Sequence, residues 1–141
     1  MALLNDRDRR KIQADLAQLR GPVKLVTFTQ ELACQFCREN DQLMRELSEL
    51  SDKLSVEVYN FQLDKEQVAR YGIDKIPATV VEGARDFGIR FYGVPMGYEF
   101  MSLLGAIGDA ARGTTSLKPE TKSALARIET PVHLQVLVTP T

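Results

Sequence analysis

Hydrophobic residues recur along the chain with two different periods, and these predict alternating helices and strands. Over residues 8–20 the apolar positions have helical spacing, and Gly21-Pro22 ends the pattern. The next run, Val23–Thr29, is apolar and β-branched, which favours a strand. The remaining predicted elements are a helix over 38–50, a strand over 56–61, a helix over 65–71, strands over 78–81 and 89–92, and a helix over 98–111.

The order of these elements predicts an α/β fold with a mixed central sheet flanked by helices. The first two strands are joined through a helix, which implies that they run parallel. The last two strands are separated by a short turn at residues 83–87, which implies an antiparallel hairpin. The final helix is amphipathic, and we expect its apolar face to contribute to the core.

Cys34 and Cys37 are the only cysteines of the chain, and they lie between the first predicted strand and the second predicted helix. At the start of a helix, unpaired backbone N–H groups and the helix dipole favour a thiolate over a thiol. A cysteine pKa of about 8.5 can fall to roughly 3.5–7.5 in such a place. Since the first residue of such a pair faces solvent and the second is turned inward, we expect Cys34 to be the attacking nucleophile and Cys37 the resolving thiol.

Two other interpretations of the cysteine pair stay open. The pair could be half of a zinc site, but zinc takes about four ligands, and the rest of the chain offers only His133 and scattered carboxylates unless two chains share a metal. The cysteines could also be buried and inert, because free cysteine is often a core residue. We predict a redox pair and no metal site, since the strand before the pair and the helix after it suit thiol chemistry.

The charge and length of the chain limit its function classes. Its 18 basic and 19 acidic side chains give a net charge of −1, which provides no basic surface for nucleic acid or an anionic membrane. No apolar stretch approaches the length of a membrane span, and the N-terminus lacks the apolar segment of a signal peptide. The 141 residues suit one domain plus an extension. We expect a cytoplasmic protein, because a catalytic cysteine pair fits a reducing compartment.

A second motif stands directly before the predicted hairpin, where residues 71–77 read Tyr-Gly-Ile-Asp-Lys-Ile-Pro. Together with the strand, cysteine pair and helix, this motif resembles the thioredoxin fold. The resemblance implies that Pro77 is cis and faces the cysteines, and that the backbone of Ile76 pairs with an extended substrate chain. It also implies that the loop from Gly93 forms a third wall of an apolar docking groove. The substrate-binding residues implied in this way are Gln35, Phe36, Ile76, Pro77, Gly93 and Val94.

The chain departs from thioredoxin at the residues that assist proton transfer. The position six residues before Cys34, where thioredoxins place a buried aspartate, is Phe28. The position of the nearby lysine partner falls at Asn60. Glu31 and Glu57 are candidates for the missing proton-transfer group, so this assignment stays open.

The last quarter of the chain repeats an earlier segment. Aligning Leu16 with Leu125 gives six matches in ten positions, one of them conservative. We interpret residues 1–113 as one thioredoxin-like unit, and residues 114–141 as a linker helix and the first strand of a truncated second unit. A strand over residues 132–138 would lack a sheet of its own, so we expect it to add to an existing edge or to pair with another molecule as a dimer.

A tandem protein with Cys-Gln-aromatic-Cys in its first unit resembles the protein disulfide oxidoreductases of the glutaredoxin-like group. The resemblance implies a thiol–disulfide oxidoreductase that acts on protein disulfides through a mixed disulfide, with the Cys34–Cys37 disulfide as its redox centre and no bound cofactor. The implied partners are protein substrates and a flavoprotein of the thioredoxin reductase type. The alternative is a substrate-docking or electron-relay domain of a larger redox protein, inactive alone.

Overall fold

A computed structural model describes residues 1–139 as a mixed β-sheet with helices on both faces. The helices are α1 (Asp6–Leu16), α2 (Cys37–Ser48), α3 (Lys65–Tyr71), α4 (Tyr98–Arg112) and α5 (Pro119–Ala126). The strands are β1 (Val23–Thr29), β2 (Leu54–Asn60), β3 (Ala78–Glu82) and β4 (Asp86–Tyr92). Within residues 1–139, no helix is both long enough and apolar enough to cross a membrane.

The strand order is β2-β1-β3-β4, which confirms the predicted mixed sheet. Strand β1 runs parallel to β2 and antiparallel to β3, and β3 pairs antiparallel with β4. The two central strands are the most apolar, and every residue of β3 is buried. This agrees with the rule that strands covered on both faces read as continuous apolar runs.

The sheet separates two apolar clusters. The first packs β1 against α1, α2 and α4, and its fully buried members include Leu25, Leu43, Leu47, Leu103 and Ile107. The second lies on the opposite face, where Val26, Phe28 and Val80 pack against Tyr71 of α3. Since neighbouring residues of a strand point to opposite faces, the register of β1 decides which side chains approach the cysteine helix.

Two predicted boundaries differ from the structure for local reasons. Helix α1 ends at Leu16 and not at residue 20, because the amides of Gln18 and Leu19 bond to carbonyls only three residues back, as in a tightening last turn. Helix α2 begins at Cys37, so Cys34 lies in the turn that leads into the helix.

The predicted strand over residues 132–138 is wrong for the single chain. Within residues 127–139 the structure contains no strand, and the large apolar side chains of this segment are exposed, from 51% at Ile128 to 88% at Leu134. The physical reason is that a strand needs a neighbour for its backbone N–H and C=O groups, and residues 127–139 pair with neither of the edge strands, β2 and β4. Pairing with another molecule stays a prediction.

Candidate redox site at the start of the cysteine helix

After β1 ends at Thr29, the chain turns, and the two cysteines lie at the start of α2. Cys34 and Cys37 form a disulfide, with their Cα atoms 5.5 Å apart. Cys34 is half-buried, whereas Cys37 is only 1% exposed. The first cysteine is therefore the accessible one, as predicted. Ala33, directly before the pair, has a positive φ of 57°, a conformation that non-glycine residues adopt rarely and that clusters at functional sites.

The N-terminus of α2 lies at this disulfide. Phe36 occupies the N-cap position, and within the described residues its side chain makes no capping hydrogen bond. The N–H groups of the first turn therefore keep their partial positive charge at the position of the two sulfur atoms. On reduction, this arrangement stabilises a thiolate. Because the two cysteines are bonded to each other, they are not two inert core residues.

Pro77 lies at the same end of the sheet as the cysteine turn. Strand β3 runs antiparallel to β1, with Ala78 opposite Phe28, so the start of β3 neighbours the end of β1. The Ile76–Pro77 peptide bond is cis, which confirms the prediction from the resemblance. Pro77 is buried, and its carbonyl accepts a 2.9 Å hydrogen bond from the Gly93 amide.

The residues expected to contact substrate come from three loops at this end of the sheet. Gln35 and Phe36 are exposed between the cysteines, and Phe36 shows 48% of its surface. Ile76 is half-buried against the second apolar cluster, and Val94 is half-buried against the first. The backbone hydrogen bond between Gly93 and Pro77 joins two of these loops directly. The arrangement leaves an exposed aromatic side chain next to the half-buried Cys34.

Two of the positions considered for proton transfer, Phe28 and Glu57, do not face the cysteine helix. Phe28 points to the other face of the sheet, where its ring packs 5.7 Å from the Tyr59 ring. Asn60, the position of the lysine partner, pairs with Thr29 in the parallel register and lines the pocket at the ends of β1 and β2. Glu57 also points to the face of Val26 and Tyr59, and its carboxylate accepts hydrogen bonds from Tyr59 and Lys24.

Glu57 is therefore a member of an ion pair and not a candidate for proton transfer. Burial alone would raise its pKa, but the hydrogen bonds from Tyr59 and Lys24 hold the pKa of the Glu57 carboxyl below its ordinary value. The other candidate, Glu31, is exposed in the turn after β1.

Sequence reasoning missed a polar layer between α2 and the sheet. We use this name for Thr27, Thr29, Asn40, Asp41 and Thr79. The Asn40 side-chain amide donates a 3.1 Å hydrogen bond to the Thr79 hydroxyl, and Asn40, Thr79 and Thr27 are fully buried. The signal was available, because Asn40 continues the apolar stripe of Leu43 and Leu47 by one turn toward the cysteines, and a polar residue in such a stripe is unusual.

Asp41 carries the charge of the polar layer. Burial raises the pKa of its carboxyl above the ordinary value of 3.8, although the hydroxyl groups of Thr29 and Thr27 and the guanidinium of Arg45 oppose this shift. Among residues 1–139, the Asp41 Oδ1 and Asn40 Oδ1 atoms are buried without a hydrogen-bond partner. Buried polar atoms of this kind are few in native proteins and call for an explanation.

Metal binding was the alternative for the cysteine pair. In the part of the chain that the structure describes, no group of three or more His, Cys, Asp or Glu side chains is arranged to hold a metal ion. His133 lies in the exposed C-terminal segment, far along the chain from the two cysteines.

Solved structures share this architecture. The chain is similar to a protein disulfide oxidoreductase from Aeropyrum pernix, with a TM-score of 0.79 and 24% identity over 89% of this chain and 56% of the other. It is equally similar to the alkylhydroperoxide reductase AhpF of Enterococcus faecalis, with a TM-score of 0.79 and 23% identity over 88% of this chain and 60% of that one. No protein-family model and no curated protein sequence matches the chain.

A separate structure of the N-terminal domain of Enterococcus faecalis AhpF aligns with a TM-score of 0.76 and 24% identity, over 85% of this chain and 58% of that one. The chain thus spans less than two thirds of the length of each of these three neighbours. At identities of 23–24% the likeness identifies the fold, and together with the sheet order, the cysteine helix and the cis-proline it shows that this chain has a thioredoxin-like fold.

Proposed function

We propose that this protein is a thiol–disulfide oxidoreductase that acts on protein disulfides. The observation that carries the proposal is the Cys34–Cys37 disulfide, with an accessible first sulfur and a buried second one, at an uncapped helix N-terminus. A disulfide that only stabilised the fold would close a loop of two intervening residues, and so small a loop removes little entropy from the unfolded chain. Redox chemistry explains the position better.

The reaction proceeds through a mixed disulfide. In the reduced protein the Cys34 thiolate attacks one sulfur of a substrate disulfide, so that a Cys34–substrate bond forms and the other substrate sulfur leaves as a thiolate. Cys37 then loses its proton and attacks Cys34 Sγ. The Cys34–substrate bond breaks, the Cys34–Cys37 bond forms, and the second substrate sulfur leaves as a thiolate that takes up a proton. The substrate gains two electrons and the cysteine pair loses two.

An extended substrate segment would dock across the three loops at this end of the sheet. The backbone of Ile76 would pair with such a segment, with Pro77, Gly93 and Val94 beside it and Gln35 and Phe36 at the cysteine turn. Backbone pairing suits a protein substrate of variable sequence, because main-chain hydrogen bonds do not depend on side chains. An exposed aromatic side chain adds apolar contact area.

Reduction of insulin disulfides with dithiothreitol as the electron source tests this function. We expect the wild-type chain to raise turnover above the rate of dithiothreitol alone, and we expect no such increase from Cys34→Ser, which lacks the attacking sulfur. When pre-reduced Cys37→Ser is mixed with insulin in the absence of free dithiothreitol, it should accumulate a covalent adduct with substrate, because the resolving thiol is missing, and dithiothreitol added afterwards should release the adduct. Turnover by Cys34→Ser would overturn the assignment of roles, and absence of turnover in the wild-type chain would overturn the activity.

A second candidate function is a docking or electron-relay domain of a larger redox protein. Its support is that the chain spans 56–60% of the neighbours of known structure, one of which is the alkylhydroperoxide reductase AhpF. In this arrangement residues 1–113 form the redox unit, residues 114–141 begin a second unit, and the exposed segment 132–138 pairs with that unit or with a second molecule. A chain that binds reduced insulin peptides but shows no turnover with dithiothreitol would favour this candidate.

The reduced state of the cysteine pair needs an electron donor in the cell. We propose a flavoprotein of the thioredoxin reductase type, in a reducing compartment such as the cytoplasm, with no cofactor on this chain besides its own disulfide. NADPH oxidation by a purified thioredoxin reductase in the presence of the oxidised protein tests this. A rate that does not depend on the concentration of the protein would contradict it.

A further inference from the structure

Asp41 lies one helical turn after the resolving cysteine. The two residues are four apart in α2, so their Cβ atoms are neighbours about 5–6 Å apart. Side chains of a helix tilt toward its N-terminus, which directs Asp41 back toward Cys37. Cys37 is only 1% exposed, so bulk water is poorly placed to take its proton. A base must reach Cys37 from inside the protein.

The Asp41 carboxylate can act as the base that takes the proton of Cys37. Its Oδ1 atom is buried and has no hydrogen-bond partner among residues 1–139, so a lone pair is available. The carboxylate lies above the hydroxyl groups of Thr27 and Thr29 on β1, and it lines an open pocket of about 420 Å³ at the C-terminal ends of β1 and β2. This pocket gives the proton a path to solvent after the transfer.

We infer that Asp41 accepts the proton of the Cys37 thiol, directly or through one water molecule, when Cys37 resolves the mixed disulfide. This inference rests on the proposed oxidoreductase function. The Cys37 Sγ–H bond breaks and an O–H bond forms on Asp41, which leaves a Cys37 thiolate beside a neutral carboxyl group. The thiolate attacks Cys34 Sγ, the substrate thiolate leaves, and the proton passes from Asp41 to that thiolate or to solvent.

The surroundings of Asp41 support the same role. Burial raises the pKa of the carboxyl, which makes the carboxylate a stronger base and brings it closer to the pKa of a thiol. On its own helix Arg45 opposes this shift, and the hydroxyls of Thr29 and Thr27 oppose it from β1. The other charged groups that line the same pocket are Arg38, Glu31 and Asp64.

A reaction with excess dithiobis-nitrobenzoate separates the two chemical steps. Attack by Cys34 releases one thionitrobenzoate, and resolution by Cys37 releases a second. We compare the wild-type chain with Asp41→Asn, which cannot accept a proton, over a range of pH. The matched control is Glu39→Gln, which removes one negative charge from an exposed position in the first turn of the same helix. It removes the same charge from the same helix but lies outside the polar layer.

For Asp41→Asn we expect an unchanged first release and a second release slowed by about a hundredfold near neutral pH. The difference should shrink above about pH 9, where the thiol ionises without help. For Glu39→Gln we expect both releases within about twofold of wild type. The inference is overturned if the second release of Asp41→Asn is as fast as wild type, if it is equally slow at every pH, or if Glu39→Gln is slowed as much. Absence of the first release in wild type would overturn the oxidoreductase function itself.

Discussion

The side-chain amide of Asn40 donates a 3.1 Å hydrogen bond to the hydroxyl of Thr79, and neither side chain has any exposed surface. Asn40 lies three residues after Cys37 on α2, and Thr79 lies two residues after Pro77 on β3. The bond therefore joins the cysteine helix to the strand that follows the cis-proline. Because it is buried, this contact fixes the distance between the two halves of the candidate site more firmly than a surface contact would.

Removing both partners of this hydrogen bond should destabilise the protein by less than the sum of the two single removals. Thr79→Val leaves the buried Asn40 amide without an acceptor, and Asn40→Leu leaves the Thr79 hydroxyl without its donor, each at a cost of about 1–3 kcal/mol. The double variant replaces both groups by apolar side chains of similar shape, so we expect it to be more stable than the sum of the single losses implies. Urea denaturation of the four oxidised proteins measures this, and strictly additive losses would contradict it.

Glu46 should contribute stability that disappears in acid. It is 8% exposed and accepts hydrogen bonds from the Leu3 and Leu4 amides at 2.9 and 3.0 Å. Burial alone would raise its pKa, but these amides, with Gln42 and Arg9, hold the pKa of the Glu46 carboxyl below its ordinary value of 4.5. A group with a lowered pKa in the folded state stabilises it above the unfolded pKa and ceases to do so as the pH falls through the folded pKa.

We therefore expect Glu46→Gln to lower the free energy of unfolding by about 1–3 kcal/mol near neutral pH, and the difference from wild type to shrink below about pH 4.5. The control is Glu49→Gln, since Glu49 pairs with the same Arg9 but its side chain is 65% exposed. That variant should lose less than about 1 kcal/mol. Urea denaturation at several pH values checks both, and a Glu46→Gln loss that is the same at every pH would be the contrary result.

The local hydrophobic pattern predicted the helices and strands well. It failed to predict which face of the sheet a side chain of β1 points to. Strand β1 and helix α3 begin and end at the predicted residues, because each is bounded by turn residues and has a clear period. Counting six residues back from Cys34 selected Phe28, but that count crosses an irregular turn with a left-handed Ala33. A slip of one residue in a strand moves a side chain to the opposite face.

The residue that faces the cysteine helix is therefore Thr27 and not Phe28, as its place near Asp41 indicates. The role of Asp41 could not be predicted from the sequence either, because its partners on β1 are distant along the chain and its burial depends on how α2 packs. The C-terminal strand was wrong for a related reason. Its pattern was correct for a strand, but a strand also needs a neighbour that this chain does not supply within residues 1–139.

Phe36 should matter for protein substrates and little for small disulfides. Its ring is 48% exposed between the two cysteines, where it can contact a docked chain. We expect Phe36→Ala to raise the KM for insulin by about fivefold to thirtyfold, as the loss of one or two kcal/mol of binding implies. The first thionitrobenzoate release should stay within about twofold. Leu125→Ala is the control, because Leu125 is similarly exposed, at 51%, on α5. An equal effect of the two variants on KM would contradict a docking role.

Two glycines at α4 should respond to alanine in opposite directions. A Cβ on Gly83, in the turn between β3 and β4, would collide with the backbone carbonyl of Ala110, and neither backbone can move without disturbing the other. We expect Gly83→Ala to destabilise the protein by about 1–3 kcal/mol, as overpacking does. Gly105 lies inside α4, and a methyl group added there would meet no described atom within 4 Å outside its own helix backbone. Gly105→Ala should stabilise the protein by about 0.5–1 kcal/mol, because alanine is the better helix former. Thermal unfolding of the oxidised variants decides this, and a Gly83→Ala protein as stable as Gly105→Ala would show that β3 and α4 are not packed as closely as the structure has them.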